Sequence, residues 1–94
     1  MNKYSYIARV NAEIRQAKIE TGSFKNDKGT EVSYSYISIK ALDEDDNSFI
    51  IKDKVIENIE KYKRGTVGIF KVKVEVTEGF KGKTTINLIG FEEE

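Results

Sequence analysis

Aromatic, hydroxyl and ammonium side chains occupy alternate positions along residues 31 to 42. One parity of this stretch holds Tyr34, Tyr36, Ser38 and Lys40, and the other holds Ile37, Ile39 and Ala41. Successive side chains of a β-strand point to opposite faces, so we expect the aliphatic set in the core and the tyrosine set on the outer surface. Exposed aromatic rings of this kind stack on unpaired nucleic-acid bases, an interaction worth about 1–3 kcal/mol per base. The alternative is that these tyrosines serve only the sheet, because tyrosine is favoured in strands and packs against cross-strand neighbours.

A second group of candidates lies in residues 21 to 30, which are rich in turn-forming residues and are predicted to be a loop. Phe24 is a candidate for stacking on a base, and Lys25 and Lys28 are candidates for contacts with phosphates. The alternative for Phe24 is that its ring folds back onto the core.

A third group lies in the alternating stretch from residue 70 to residue 76. Lys71 and Lys73 stand there on the parity opposite to the valines and are candidates for phosphate contacts. An ordinary half-buried strand also turns its charges to solvent, and that alternative stays open. Phe80 and Lys81 follow in a hairpin between glycines. A ring at a hairpin tip is poorly placed for its own core, so Phe80 is a candidate for a base contact or a dimer contact.

The chain lacks the residues on which most catalytic sites depend. It has no histidine and no cysteine, which removes the commonest general base, the commonest neutral metal ligand and every thiolate. Its sequence contains no phosphate-binding loop motif, no dinucleotide-binding glycine motif and no Ser-His-Asp set. The run Asp43–Asp46 lacks the spacing of a calcium loop and is predicted to be a solvated turn. We therefore expect no enzyme, no metal, no cofactor and no small-molecule substrate.

The distribution of charge is more informative than the net charge, which is zero with 16 basic and 16 acidic residues. Seven of the acidic residues lie in two short runs, Asp43–Asp46 and Glu92–Glu94. Outside those runs the basic residues outnumber the acidic ones by seven. This pattern predicts a basic surface that is compatible with a polyanionic partner. The terminal acidic run is predicted to be a solvated end.

Five strands would position these residues. Period-2 alternation and β-branched content predict strands at residues 4–20, 31–42, 48–52, 66–77 and 83–91. The apolar parity of the first strand changes between Ile14 and Ala17, which predicts a β-bulge near Arg15 and Gln16. A helix is the competing prediction for residues 11 to 18.

One helix is predicted between the third and fourth strands. Residues 53 to 63 carry apolar side chains at helical spacing, with Asp53 as the predicted N-cap and Gly65 as the predicted stop. The order β-β-β-α-β-β over 94 residues predicts one all-β domain, residues 1–94, folded as a five-stranded OB-fold Greek-key barrel. An SH3-like barrel is the alternative. Since the sequence has no apolar run of the length of a membrane span and no signal-peptide core after Met1, we expect a soluble cytoplasmic protein.

Six short segments of the chain are notable for their order and spacing along the sequence. They are Gln16-Ala17-Lys18, Lys28-Gly29, Phe49-Ile50-Ile51-Lys52, Gly65, Gly79-Phe80-Lys81-Gly82 and Ile86-Asn87-Leu88-Ile89. In this arrangement, from about Val10 to Phe91, the chain resembles the gene V-type single-stranded DNA-binding proteins of filamentous phages.

Proteins of that family are OB-fold homodimers that coat single-stranded DNA cooperatively and without sequence preference. The resemblance implies that Tyr34 or Tyr36 stacks on bases and that Lys52 meets the phosphate backbone. It also implies that Phe80 reaches DNA or a neighbouring subunit. Family members carry arginines around the first hairpin loop, where this chain has only lysines, and this difference predicts weaker binding.

Taken together, the sequence predicts a non-catalytic, sequence-tolerant single-stranded DNA-binding protein of a phage, plasmid or mobile element, acting as a homodimer. The residues do not separate DNA from RNA as the ligand. The alternative is an OB-fold adaptor or inhibitor that binds a protein, which the neutral net charge and the acidic runs favour.

Overall fold

The computed structural model describes residues 3–79 and 82–94, and within them the chain forms five strands and one short 3₁₀ helix. The elements are β1 (Lys3–Lys25), β2 (Glu31–Asp43), β3 (Ser48–Asp53), the 3₁₀ helix (Ile56–Lys61), β4 (Val67–Thr77) and β5 (Lys83–Glu93). The strands close into a barrel in the order β1-β2-β3-β5-β4. All neighbours pair antiparallel except β3 and β5, which pair parallel. This is the five-stranded Greek-key barrel of an OB-fold, and the predicted fold class is confirmed.

β1 is 23 residues long and belongs to both halves of the barrel. Its first half pairs with β4 and its second half with β2. The register of the β1–β2 pairing shifts between Ile14 and Gln16, which confirms the predicted bulge. A bulge leaves one residue unpaired and bends the strand. The extra residue is Arg15, and the bend lets one continuous strand cross from one sheet partner to the other.

The core is formed by side chains of inward parity from four strands and by one ring from the segment after β3. Its buried members are Ala12, Ile14, Ile37, Ile39, Ala41, Ile51, Tyr62, Phe70, Val72 and Val74. Burying an isoleucine or phenylalanine of this kind contributes about 1.5–3 kcal/mol. The predicted division of β2 into an aliphatic inner face and a tyrosine-bearing outer face is confirmed, since Ile37, Ile39 and Ala41 are fully buried and Tyr34 is 46% exposed.

The segment between β3 and β4 differs from the prediction in length and in its cap. The helix spans six residues, is of the 3₁₀ type, and begins after Val55 without a side-chain cap. Asp53 is not the N-cap, because it is still part of β3 and points into the barrel. Gly65 lies beyond the end of the helix and turns the chain into β4 with a φ of 91°.

The carboxylate of Asp53 holds this segment against the barrel. It accepts hydrogen bonds from the Val55 N–H at 2.9 Å, from Nδ2 of Asn58 at 3.1 Å and from the hydroxyl of Tyr62 at 2.6 Å. Asp53 is only 5% exposed, and a buried carboxylate is tolerated when its oxygens are satisfied in this way. The same polar cluster therefore replaces the missing helix cap.

The first hairpin is longer than predicted. Residues 21–30 were expected to be a loop, but β1 continues to Lys25 and pairs with β2 as far as Glu31. The turn needs only the residues from Asn26 to Thr30, where Oδ1 of Asn26 accepts the N–H groups of Lys28 and Thr30. Phe24 is therefore a strand residue and not a loop residue.

The end of this hairpin extends beyond the core as an arm. The arm's inward parity carries the polar residues Thr21, Ser23, Ser33 and Ser35, all of them exposed. The radius of gyration is 14.7 Å, against roughly 12 Å for an average domain of this length. The arm contributes to this elongated shape.

The acidic run between β2 and β3 forms a turn, as predicted. One oxygen of the Asp43 carboxylate accepts hydrogen bonds from the N–H groups of Asp45 and Asn47, both at 2.9 Å. The backbone hydrogen bond from Asn47 is the largest cause that lowers the pKa of Asp43 below its usual value. The acidic residues here shape the turn. Among the described residues, no helix is long and apolar enough to cross a membrane.

Replacing Tyr62 by phenylalanine is expected to destabilise the fold by about 1–3 kcal/mol, because Asp53 loses the closest of its buried donors. Urea unfolding at neutral pH measures this loss. Tyr4→Phe is the matched control, since Tyr4 is 49% exposed. Equal stability of the two variants would contradict the role given to the Tyr62 hydroxyl.

The same variant carries a pH signature. Burial, and then the hydrogen bond to Asp53, raise the pKa of Tyr62 well above the usual value of 10.0. Above pH 10 the unfolded chain ionises this phenol while the folded chain keeps its proton, so wild-type stability falls as the pH rises. Tyr62→Phe lacks this contribution, and the difference in stability between the two proteins is expected to shrink above pH 10.

Candidate functional site

Three aromatic side chains form a row on the outer face of the first hairpin. Phe24 of β1 lies 6.4 Å from Tyr34 of β2, and Tyr34 lies 6.2 Å from Tyr36, measured between ring centroids. The planes of the two tyrosine rings are only 14° apart. Residues two apart on a strand share a face, so the β2 backbone itself sets the alignment of these rings.

A glycine makes room for the central ring of this row. Gly22 pairs with Tyr34 across the hairpin, and the Tyr34 ring lies directly over it. A Cβ at position 22 would collide with the hydroxyl oxygen and Cζ of Tyr34. The glycine that suggested a turn in the sequence therefore seats the Tyr34 ring flat against the strand.

Lysines border the row on the side of β3. Nζ of Lys52 lies 4.9 Å from the centroid of the Tyr36 ring, which is the distance of a cation–π contact. Lys52 is also the residue of β3 that pairs with Asn87 of β5. This parallel pairing brings the outer face of β5 beside the tyrosines of β2.

The result is an open groove of about 550 Å³, which we call the tyrosine groove. It is lined by Tyr34, Ser35, Tyr36, Lys52, Lys54, Lys83, Thr85 and Asn87. Three of these side chains are ammonium groups, two are aromatic rings, and the others are small hydroxyl or amide groups. The arrangement combines flat apolar surfaces with positive charge along a shallow path.

Among the described residues no carboxylate lines the tyrosine groove, and two acidic residues lie next to it. Glu20, which pairs with Tyr36 in the sheet, forms a salt bridge with Lys18 at 3.1 Å. Glu75 accepts a long hydrogen bond of 3.5 Å from Nδ2 of Asn87. The positive charge of the groove is therefore not neutralised from within.

The structure brings together only part of the predicted site. Tyr34, Tyr36 and Lys52 lie in the tyrosine groove, and Phe24 continues its aromatic row. Lys25 and Lys28 are exposed at the tip of the arm.

The remaining predicted residues lie elsewhere. Lys73 is next to the groove, because it pairs with Asn87 on the outer face of β4. Lys40 and Lys71 line two other depressions of the barrel surface. Phe80 and Lys81 lie outside the described residues.

The sequence prediction missed the contribution of β5. Lys83, Thr85 and Asn87 stand at alternate positions, and this spacing predicts a shared face. It does not predict which strand lies beside them, since the β3–β5 pairing joins segments far apart in the chain. Lys54 was missed because it falls just after β3, in the stretch predicted to be helical.

Comparisons with known proteins give a distant structural likeness. No family model matches the chain, and no curated protein matches its sequence. One solved structure to which the chain is similar is the mitochondrial single-stranded DNA-binding protein Rim1 of S. cerevisiae, with 12% sequence identity, coverage of 94% of each chain and a TM-score of 0.49.

Proposed function

We propose that this chain is a non-catalytic, sequence-tolerant single-stranded DNA-binding protein. The observation that carries the proposal is the pair of aligned tyrosine rings beside three unneutralised lysines in one open groove. Rings of this kind stack on bases, and lysines along the same path meet the phosphates between them. The groove combines the two components that single-strand binders require.

The chemistry of the groove favours single strands over duplexes. A ring stacks only on a base whose face is exposed, and the base faces of a duplex are already stacked on one another. Every base has such a face, so stacking tolerates any sequence. The groove offers few groups for reading base edges, namely the side chains of Thr85 and Asn87. Lys25 and Lys28 at the tip of the arm extend the positive surface.

A homodimer is part of the proposal, and the edge of β1 supports it. Within the described residues, β1 pairs with β4 from Lys3 onward but with β2 only from Ala12 onward. The other edge of its first nine residues is therefore unpaired, and it bears Tyr4, Tyr6 and Ile7, each about half exposed. An unpaired, apolar strand edge favours pairing with a second copy of the same strand.

The origin in a phage, plasmid or mobile element and the cytoplasmic location also belong to the proposal. The origin rests on the resemblance to the gene V-type proteins, and the location rests on the sequence features given above. The rival function, an OB-fold module that binds a protein, is distinguished by the titrations below.

Binding to fluorescent oligo-dT is expected at low salt and should weaken as salt is added, because phosphate contacts release counterions. On an oligonucleotide that covers only the tyrosine groove, Lys52, Lys54 and Lys83 would each meet one phosphate, and the slope of log K against log salt should be about −2, which is about −0.7 for each contact. Fluorescence anisotropy at several salt concentrations measures the slope. Absence of binding at low salt and micromolar protein would overturn the proposal and leave the rival function in its place.

The two tyrosines are expected to act through their rings. Tyr34→Ala and Tyr36→Ala should each weaken oligo-dT binding by about 1–3 kcal/mol, whereas Tyr34→Phe and Tyr36→Phe should retain most of the affinity. Anisotropy at a fixed salt concentration compares the four variants. If the alanine and phenylalanine variants bind equally well, stacking is not the source of the affinity.

The dimer is expected to depend on the free edge of β1. Sedimentation of the wild-type chain should give the mass of two chains, and Tyr6→Lys should give one, because a charge on an edge strand opposes strand pairing. Lys61→Gln, on the 3₁₀ helix away from this edge, is the control. A monomeric wild-type chain at high micromolar concentration would refute the dimer without touching the DNA-binding proposal.

A further inference from the structure

A second positively charged depression lies on the barrel, beyond the tyrosine groove. It has a volume of about 580 Å³ and is lined by Arg15, Gln16, Ala17, Lys40, Tyr62 and Arg64. We call it the basic depression. Three of its six lining residues are cationic and none is acidic.

The bulge of β1 builds this depression. Ile14, just before the bulge, donates its N–H to the carbonyl of Thr66 and accepts the N–H of Gly65, both at 2.8 Å. These bonds tie the loop after the 3₁₀ helix to the bend of β1. As a result, Arg64 from the loop and Arg15 from the bulge line the same depression.

The cations of the depression are available to a ligand. Arg15 is the only one of them in an ion pair among the described residues, through one nitrogen, Nη1, to Glu13 at 2.7 Å. An exposed pair of this kind contributes about 1 kcal/mol or less, and it leaves other guanidinium donors free. The hydroxyl of Tyr62 is turned inward to Asp53, so its ring supplies part of the wall.

The depression continues the path of the tyrosine groove along β2. Lys40 has the same parity as Tyr34 and Tyr36, and it is four residues from Tyr36, about 13 Å along a strand. Between them lies Ser38, which pairs with Lys18 of β1 and Lys52 of β3. A single row of outward side chains on β2 therefore connects the tyrosine groove to the basic depression. The two residues that pair with Ser38 in this row are both lysines.

We propose that the basic depression is a second phosphate-binding site, which holds the backbone of the same single strand after it leaves Tyr36. The planar guanidinium groups of Arg15 and Arg64 match the geometry of a phosphodiester. The inference rests on the proposed function and adds a path for the ligand. The single-stranded DNA would run from the arm, over the tyrosines, towards the bulge of β1. An oligonucleotide too short to reach Lys40 gains nothing from this site.

The test compares two lengths of oligo-dT, about 4 and about 12 nucleotides, within the range that OB-folds occupy. The double variant Arg15→Gln, Arg64→Gln should bind the short oligonucleotide like the wild type. On the long one, its salt slope should be smaller in magnitude by about 1.4, which is about 0.7 for each lost phosphate contact. Anisotropy at several salt concentrations gives both slopes.

The matched control is Lys61→Gln, Lys63→Gln, which removes the same charge from a depression shared with Glu60 and Glu93. It should leave both slopes unchanged, and thermal unfolding of all three proteins verifies that each is folded. If the arginine variant and the control behave alike on the long oligonucleotide, the site is refuted while the tyrosine groove stands. If the wild type binds neither length, the proposed function fails and this site fails with it.

Discussion

The bend of β1 at Arg15 is the constraint on which the rest of the molecule depends. A five-stranded barrel of this order closes only if one strand pairs with both β2 and β4, and β1 does so with its two halves. The bulge allows the change of direction and moves the apolar parity from Ile14 to Ala17, so both halves place an aliphatic side chain against the core. The same bend accepts the loop after the 3₁₀ helix, through the two backbone hydrogen bonds of Ile14. Closure of the barrel and the placement of Arg15 and Arg64 in one depression therefore both depend on the same bend of β1.

The second half of β1 extends beyond the core because its inner parity becomes polar. After Ile19 the inward positions of the arm are small hydroxyl residues such as Thr21 and Ser35, whose burial would give no hydrophobic stabilisation. A two-stranded ribbon without an apolar face has little stability of its own. The row of Phe24, Tyr34 and Tyr36 on its outer face adds aromatic contacts within the arm, tilted between Phe24 and Tyr34 and stacked between the two tyrosines. The rings available to a ligand also hold the arm together.

The sequence predicted what depends on local periodicity. The five strands, the bulge and the outward parity of Tyr34 follow from alternation alone, and the structure has them. Where a signal has two physical causes, the prediction went wrong. Gly22 suggested a turn but instead leaves space for the Tyr34 ring, and Asp53 suggested a cap but instead satisfies Tyr62 inside the barrel. In both cases the deciding partner lies on another part of the chain, and single-sequence patterns contain no information about it.

The same limit applies to the candidate site. Tyr34 and Tyr36 are neighbours on one strand, so their alignment could be read from the sequence. Their place beside Lys83 depends on the single parallel contact between Lys52 and Asn87, which brings β5 to β3. Lys40 shares the parity of the tyrosines but lines the same depression as Arg64, because backbone hydrogen bonds hold the loop after the 3₁₀ helix against the bulge.

The neutral net charge is compatible with a polyanionic ligand because several of the acidic residues lie at the far end of the barrel. Asp43, Glu44 and Glu94 line one depression there, at the end of β2 opposite to the arm. Asp43 is nine residues from Tyr34, about 30 Å along an extended strand. The Debye length at physiological salt is about 8 Å, so those carboxylates exert little force on an anion in the tyrosine groove. A ligand in the tyrosine groove therefore interacts with the nearby lysines, and the net charge of the whole chain has little effect on it. Without a net positive charge, attraction at long range is weak, and the affinity must come from close contacts, above all from the stacked rings. A protein built in this way gains little from a smooth polyanion that offers charge alone and most from one that also presents exposed bases.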